Sequence, residues 1–108
     1  MQLHYQTAGQ GQPLVLIHGL FGSADNWGAI ARHFAQYFQV ISIDLRNHGR
    51  SPHSNTQTYP EMAEDLLAVC DALGLAEIYL LGHSLGGKVA MQFATHYAEC
   101  VRKLIVVD

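Results

Sequence analysis

The stretch Ile78-Tyr79-Leu80-Leu81-Gly82-His83-Ser84-Leu85-Gly86-Gly87 joins a short apolar run to an amphipathic one through a single serine flanked by glycines. An apolar run of this length reads as a buried strand, and the spacing that follows reads as a helix from Leu85 to Tyr97. A serine on a tight strand-to-helix turn is held in a strained conformation that lifts its hydroxyl above the sheet, and only small neighbours leave room for that turn. Gly82 and Gly86 meet that need, so the stretch reads as a nucleophile elbow with Ser84 at its apex. The N–H of Leu85 and the positive end of the helix then face the charge that develops on an attacked carbonyl. Five residues of the form G-x-S-x-G also arise by chance, and a glycine-rich turn can be purely structural. The strand before it and the helix after it favour the elbow.

Outward from this point, strand and helix patterns alternate. Leu3 to Thr7 reads as an edge strand, Ala8 to Gln12 as a turn, and Pro13 to Ile17 as a strand buried on both faces. The loop His18 to Ala24 leads to a helix capped by Asp25 or Asn26, with Trp27, Ile30, Ala31 and Phe34 on its apolar face. Val40 to Ile43 is the next strand, and the polar loop Leu45 to Gln57 follows. Thr58 and Glu61 have capping-box spacing and Pro60 lies in the first helical turn; Met62, Leu66, Val69 and Leu73 form one stripe, closed by Gly74. Ile78 to Leu81 and Leu104 to Val107 complete the strands. The repeated β-α-β order predicts a doubly wound, mostly parallel α/β sheet in one domain over residues 1–108, with ligands bound beyond the carboxyl ends of its strands.

Composition narrows the partners. Of 108 residues, 49% are hydrophobic and 14% charged, with a formal net charge of -3, as expected of a chain that buries a core. No Lys/Arg run offers attraction to nucleic acid or an anionic membrane, and no apolar run approaches membrane-spanning length. Met1 to Pro13 is polar, without a signal core, so a cytoplasmic location is expected. Cys70 and Cys100 lack C-x-x-C spacing and read as free thiols. Seven histidines raise the question of a metal, but His18, His48 and His83 show neither H-x-H nor H-E-x-x-H spacing, so no metal and no cofactor are expected.

Three motifs fall at three strand ends. His18-Gly19-Leu20-Phe21-Gly22, Asp44-Leu45-Arg46-Asn47-His48-Gly49-Arg50-Ser51 and Gly82-His83-Ser84-Leu85-Gly86-Gly87 together resemble the α/β-hydrolase superfamily across nearly the whole chain. The wording HGLFGS, the Arg-Asn-His-Gly loop and the Gly-Gly-Lys ending at Lys88 resemble a group of small cytosolic bacterial carboxylesterases. The resemblance implies the N-terminal half of an α/β-hydrolase fold, with Ser84 as nucleophile toward a short acyl ester or thioester. It implies an oxyanion hole built from the N–H groups of Leu85 and Leu20, with Phe21 the next donor candidate. Triad order in this fold is Ser, Asp or Glu, then His. Asp108, after the strand that follows the nucleophile helix, is the candidate acid, although an aspartate at a strand end also serves as a loop cap.

The base is expected outside these residues, on a missing C-terminal segment or a partner chain, because the family's histidine comes later than Asp108. His83 diverges from Ser84 at the turn, while His18 and His48 are expected to support their loops. Asp44 and Arg46 are expected to fix the second loop. Phe21 is a candidate pocket residue, Trp27 a weaker one, and Lys88 is expected in solvent. Serine at the elbow argues against dehalogenase and epoxide-hydrolase chemistry, whose nucleophile is a carboxylate; lipase, thioesterase, carbon-carbon hydrolase and perhydrolase reactions share these motifs. The expectation is a serine hydrolase inactive as 108 residues alone. Its rival is a non-catalytic fragment or half-assembly pairing through its last strand, since Leu104 to Val107 has no charge to blunt an edge.

Overall fold

A computed structural model describes residues 1–108. Its centre is a pair of parallel strands, Pro13–Ile17 (β2) and Gln39–Ile43 (β3), in register from Pro13 opposite Gln39 to Ile17 opposite Ile43. Alternation along these strands sends side chains to two faces, and both faces are covered. Val15, Ile17, Ile41 and Ile43 enter the larger core with Met62, Leu66 and Val69 of a helix at Tyr59–Leu73, and with Val89, Ala90 and Phe93 of a helix at Leu85–His96. Leu14, Leu16 and Val40 enter the smaller one with Trp27, against which Ala31 and Phe34 of a helix at Gly28–Phe34 pack. In chain order these helices are α1 (Gly28–Phe34), α2 (Tyr59–Leu73) and α3 (Leu85–His96). Helices on both faces make the sheet doubly wound, as the β-α-β order predicts.

The remaining strands are Tyr5–Ala8 (β1), Ile78–His83 (β4) and Val101–Val107 (β5), and the sheet order is β1-β3-β2-β4-β5. Only β1 runs antiparallel to its neighbour. The chain leaves β2 for β3 on one side, then returns through α2 to place β4 on the other. That reversal opens a crevice between the carboxyl ends of β2 and β4, the place where open α/β sheets bind ligands.

Several boundaries differ from the sequence expectation by a few residues, and three of the differences have a local cause. β1 begins at Tyr5 rather than Leu3: the Asp44 N–H still donates to the His4 carbonyl at 2.9 Å in ladder register, but the His4 N–H donates to the Ser51 hydroxyl at 2.8 Å instead of to β3. The first helical segment is capped by Ser23, not Asp25 or Asn26. Ser23 and Asn26 form a reciprocal capping box at the start of a 3-10 turn, Ala24–Trp27, that runs into α1. β5 starts at Val101, three residues early, because Arg102 and Lys103 sit on a strand exposed enough to carry charge. The cap of α2 forms as expected: the Thr58 side chain accepts from the Glu61 N–H at 3.3 Å, and Gly74 closes the helix in a left-handed conformation.

Candidate active site

β4 ends at His83, and Ser84 follows with φ 56 and ψ -116. A non-glycine residue at positive φ stores about 1–3 kcal/mol of strain and persists only where its surroundings over-determine it. Backbone is jammed against backbone here. A Cβ on Gly82 would overlap the Gly86 carbonyl, and one on Gly86 would overlap the carbonyl oxygens of Ile17 and His18. The Ser84 N–H donates to the Val107 carbonyl at 2.8 Å, and its own carbonyl accepts from Gly87 at 2.9 Å and Lys88 at 3.2 Å. Ser84 is exposed, and its side chain caps nothing. Ser42, by contrast, is buried within β3 opposite Leu16, where no substrate carbonyl can reach it.

The loop after β2 lies directly on this elbow. A Cβ on Gly19 would stand 3.3 Å from the Ser84 Cβ. The Gly22 N–H donates to the Gly19 carbonyl at 3.0 Å, closing a tight turn with Leu20 and Phe21 at its apex, Phe21 at φ 63. The N–H groups of Leu20, Phe21 and Leu85 donate to no carbonyl among the loop, turn and cap bonds. Leu85 is the first residue of α3, whose opening N–H groups have no partner within the helix. N–H groups without a carbonyl partner thus lie on the two elements that meet at the exposed serine.

Histidine and aspartate hold that loop from behind. The His18 ring is 1% exposed; its Nδ1–H donates to the Gly19 carbonyl at 2.6 Å and its Nε2 accepts from the Leu45 N–H at 3.0 Å. The bond from Leu45 requires the neutral ring, with the proton on Nδ1. Burial lowers the His18 pKa below its ordinary value, opposed by the bond to Gly19 and aided by the His48 ring, whose centroid lies 5.1 Å away. The Asp44 carboxylate accepts from the Ala24 N–H (2.6 Å) and the Arg50 N–H (3.0 Å) and pairs with His4 Nδ1 (3.0 Å). Burial alone would raise its pKa; the two N–H groups and His4 outweigh that and hold it low. His48 donates from Nδ1 to the Arg46 carbonyl at 2.8 Å. Arg46 turns away from Asp44 and binds Asp65 through Nε at 2.7 Å and Nη2 at 3.0 Å, with Glu61 at 3.2 Å. The second loop is thus fixed by Asp44 and Arg46 separately rather than by a bond between them.

A cavity of about 660 Å³ opens beside the elbow, lined by Leu20, Trp27, Ile30, Phe34, Leu81 and Val107 together with His83. Phe21 is not in that lining; its ring is 91% exposed beyond the turn. Trp27 does line it, and its buried indole N–H has no partner. Ile30 and Phe34 were indistinguishable in sequence from core positions, because pocket and core use the same helical spacing. Asp108 follows the residue whose carbonyl receives the Ser84 N–H, so it stands at the elbow's own end of the sheet, exposed.

No imidazole hydrogen bond runs to Ser84: the rings of His4, His18, His48 and His96 engage Asp44, Gly19 with Leu45, Arg46 and Gln92. No three His, Cys, Asp or Glu side chains gather as a metal site. Burial pushes the Cys70 thiol up to about 12, which leaves it protonated and unreactive. No helix is long and apolar enough to cross a membrane.

Comparison with known proteins places this geometry. Residues 12–108 match the alpha/beta hydrolase fold family. The chain is 40% identical over 103 residues to esterase YbfF of Escherichia coli strain K12, covering 95% of this chain and 41% of that protein. It is 46% identical over 106 residues to the sn-1-specific diacylglycerol lipase ABHD11 of Danio rerio, covering 96% of this chain and 33% of that one. A solved marine microorganism esterase superposes with a TM-score of 0.97 at 47% identity, covering 98% of this chain and 41% of its own. The chain therefore spans about a third to two fifths of the length of these relatives.

Proposed function

The chain belongs to the alpha/beta hydrolase fold family, and on that premise we propose that it carries the nucleophile and oxyanion donors of a serine esterase whose base lies outside these residues. The observation that carries this reading is Ser84 itself: exposed, at φ 56, on a turn that tolerates no side chain at Gly82 or Gly86, beside unused N–H groups from two elements. In the reaction, Ser84 Oγ attacks the ester or thioester carbonyl and its proton passes to the base. The Leu20 and Leu85 N–H groups stabilise the oxyanion, each donor lowering the barrier by about 3 kcal/mol. The bond to the alcohol or thiol breaks, that group leaves with the proton, and water then attacks the acyl-enzyme to release the acid and restore Ser84. Asp108 is the acid that would orient the incoming histidine. The apolar cavity next to Leu20 favours a small uncharged ester as substrate.

A second reading is supported by β5. Its residues from Arg102 onward are exposed, and it pairs only with β4. On this reading the 108 residues are a non-catalytic unit that pairs through that edge, and the base arrives with whatever covers it.

Hydrolysis of p-nitrophenyl butyrate separates these readings. The 108 residues alone should show no turnover above the Ser84→Ala background, while the whole protein carrying them should lose roughly 10⁴-fold or more on Ser84→Ala. Rapid turnover by the short chain, abolished by Ser84→Ala, would show that an internal histidine is the base. Undiminished turnover of the whole protein after Ser84→Ala would overturn the esterase reading.

A further inference from the structure

Leu20 offers a backbone N–H, and a backbone N–H has no side chain to aim it. What aims it is the rest of its peptide group. In a trans peptide the carbonyl and the N–H point in opposite directions, so whatever holds the Gly19 carbonyl sets the direction of the Leu20 N–H. That carbonyl is held twice, by the Gly22 N–H at 3.0 Å and by His18 Nδ1–H at 2.6 Å. The second bond depends on the tautomer of a buried ring. Gly19 can only accept, so Nδ1 carries the proton; the Leu45 N–H can only donate, at 3.0 Å, so Nε2 must be bare. One neutral tautomer satisfies both, and the Leu45 bond selects it.

Resting on the esterase reading above, we propose that His18 is a positioning residue: through the Nδ1–H tautomer fixed by Leu45, it latches the Gly19–Leu20 peptide with its N–H facing Ser84. A flip of this peptide would turn the Gly19 carbonyl toward the developing oxyanion, repelling it and removing a donor in one movement. The neighbouring Phe21 at φ 63 makes the turn a strained one, and a strained turn needs such a latch more than a relaxed one does. The same geometry favours Leu20 over Phe21 as the donor. The carbonyl paired with the Phe21 N–H is that of Leu20, and it accepts from no loop, turn or cap N–H.

The test uses the whole protein that carries this chain and p-nitrophenyl butyrate. His18→Leu should lower kcat about 100-fold, the loss typical of one oxyanion donor, with KM within about threefold of the parent value. His18→Asn, whose side-chain amide can still donate to Gly19, should recover at least about tenfold of that loss, a rescue that a packing role would not produce. A kcat within about threefold of the parent in His18→Leu, or His18→Asn no better than His18→Leu, overturns the proposal. Should His18→Leu not fold, ¹⁵N NMR of the parent ring decides: a protonated Nδ1 with a bare Nε2 supports the latch, and the opposite tautomer overturns it. Ser84→Ala measured alongside keeps the readings apart. If it leaves hydrolysis intact, the esterase reading falls. If it abolishes hydrolysis while the His18 variants keep their kcat, only the latch falls.

Discussion

Residues 18–24 and the last residues of β5 meet at the carboxyl end of the sheet, yet the loop and the strand are held in opposite ways. The first segment is fixed from every side: His18 is bound to Gly19 and Leu45, Ala24 to the Asp44 carboxylate, Ser23 to Asn26, and Gly19 is packed on the elbow. The second is held on one edge only. β5 lies against β4, and Leu104, Ile105, Val106 and Val107 remain 40 to 49% exposed. On the proposed reading, the half of a hydrolytic site that must be rigid before substrate arrives, nucleophile and oxyanion donors, falls on the braced side. The half that would carry acid and base stands at an uncovered margin.

Substitutions on the braced side should cost most. Gly86→Ala places a Cβ on the carbonyl oxygens of Ile17 and His18, with no flexible side chain to give way. It should destabilise by about 4 kcal/mol in urea unfolding, at the top of the usual range for a single change, and abolish any Ser84 chemistry. Asp44→Ala strips the acceptor from Ala24, Arg50 and His4. Hydrogen bonds to a charged group contribute about 1.5–3 kcal/mol each, and losses of that order are expected. If Asp44→Ala proves neutral, the brace is not what holds the loop.

Acid should dissolve the same brace in two steps. The lowered His18 pKa means the folded ring resists a proton that the unfolded ring accepts. Its contribution is therefore full above about pH 6.5 and is lost as pH falls from there through the folded value. Asp44 is also lowered, so its contribution is full above about pH 3.9 and is lost as pH falls through its own folded value. Urea midpoints at pH 7.5, 5.5 and 3.5 should fall in sequence, and Asp44→Asn should shrink the lower step, to which Glu61 also contributes, while leaving the upper.

The uncovered margin should respond least. Ile105→Lys places a charge on a side chain 49% exposed, and in the 108 residues alone its cost should stay within about 0.5 kcal/mol. In the whole protein the same change should cost several times more if β5 is there an interior strand. Equal small effects in both settings would show that β5 stays at an edge.

The parts legible in sequence are those set by local chemistry. Thr58 with Glu61, Gly74, the buried run at Pro13–Ile17 and the elbow glycines each act within a turn or two, so spacing was enough to place them. Sequence alone does not single out Ser23, because Asp25 and Asn26 are equally strong capping types and only the chain's entry angle chooses among them. The start of β5 was hidden by Arg102 and Lys103, which break an apolar pattern that an exposed strand does not need. The roles of His18 and Asp44 were out of reach in detail. The Leu45 N–H meets the His18 ring across 27 residues, and Ala24 meets Asp44 across 20, contacts that exist only once β2 and β3 lie side by side. Phe21 shows the same limit in reverse: an aromatic beside a strand end is a pocket candidate by type, yet in the fold it stands at the turn with φ 63 and is 91% exposed.

The most direct test of the central claim is covalent. Treating the whole protein with diethyl p-nitrophenyl phosphate and mapping the adduct by peptide mass spectrometry should find one diethylphosphoryl group on Ser84, absent in Ser84→Ala and never on the buried Ser42. An adduct on another residue, or hydrolysis that survives with Ser84 unmodified, would contradict the account.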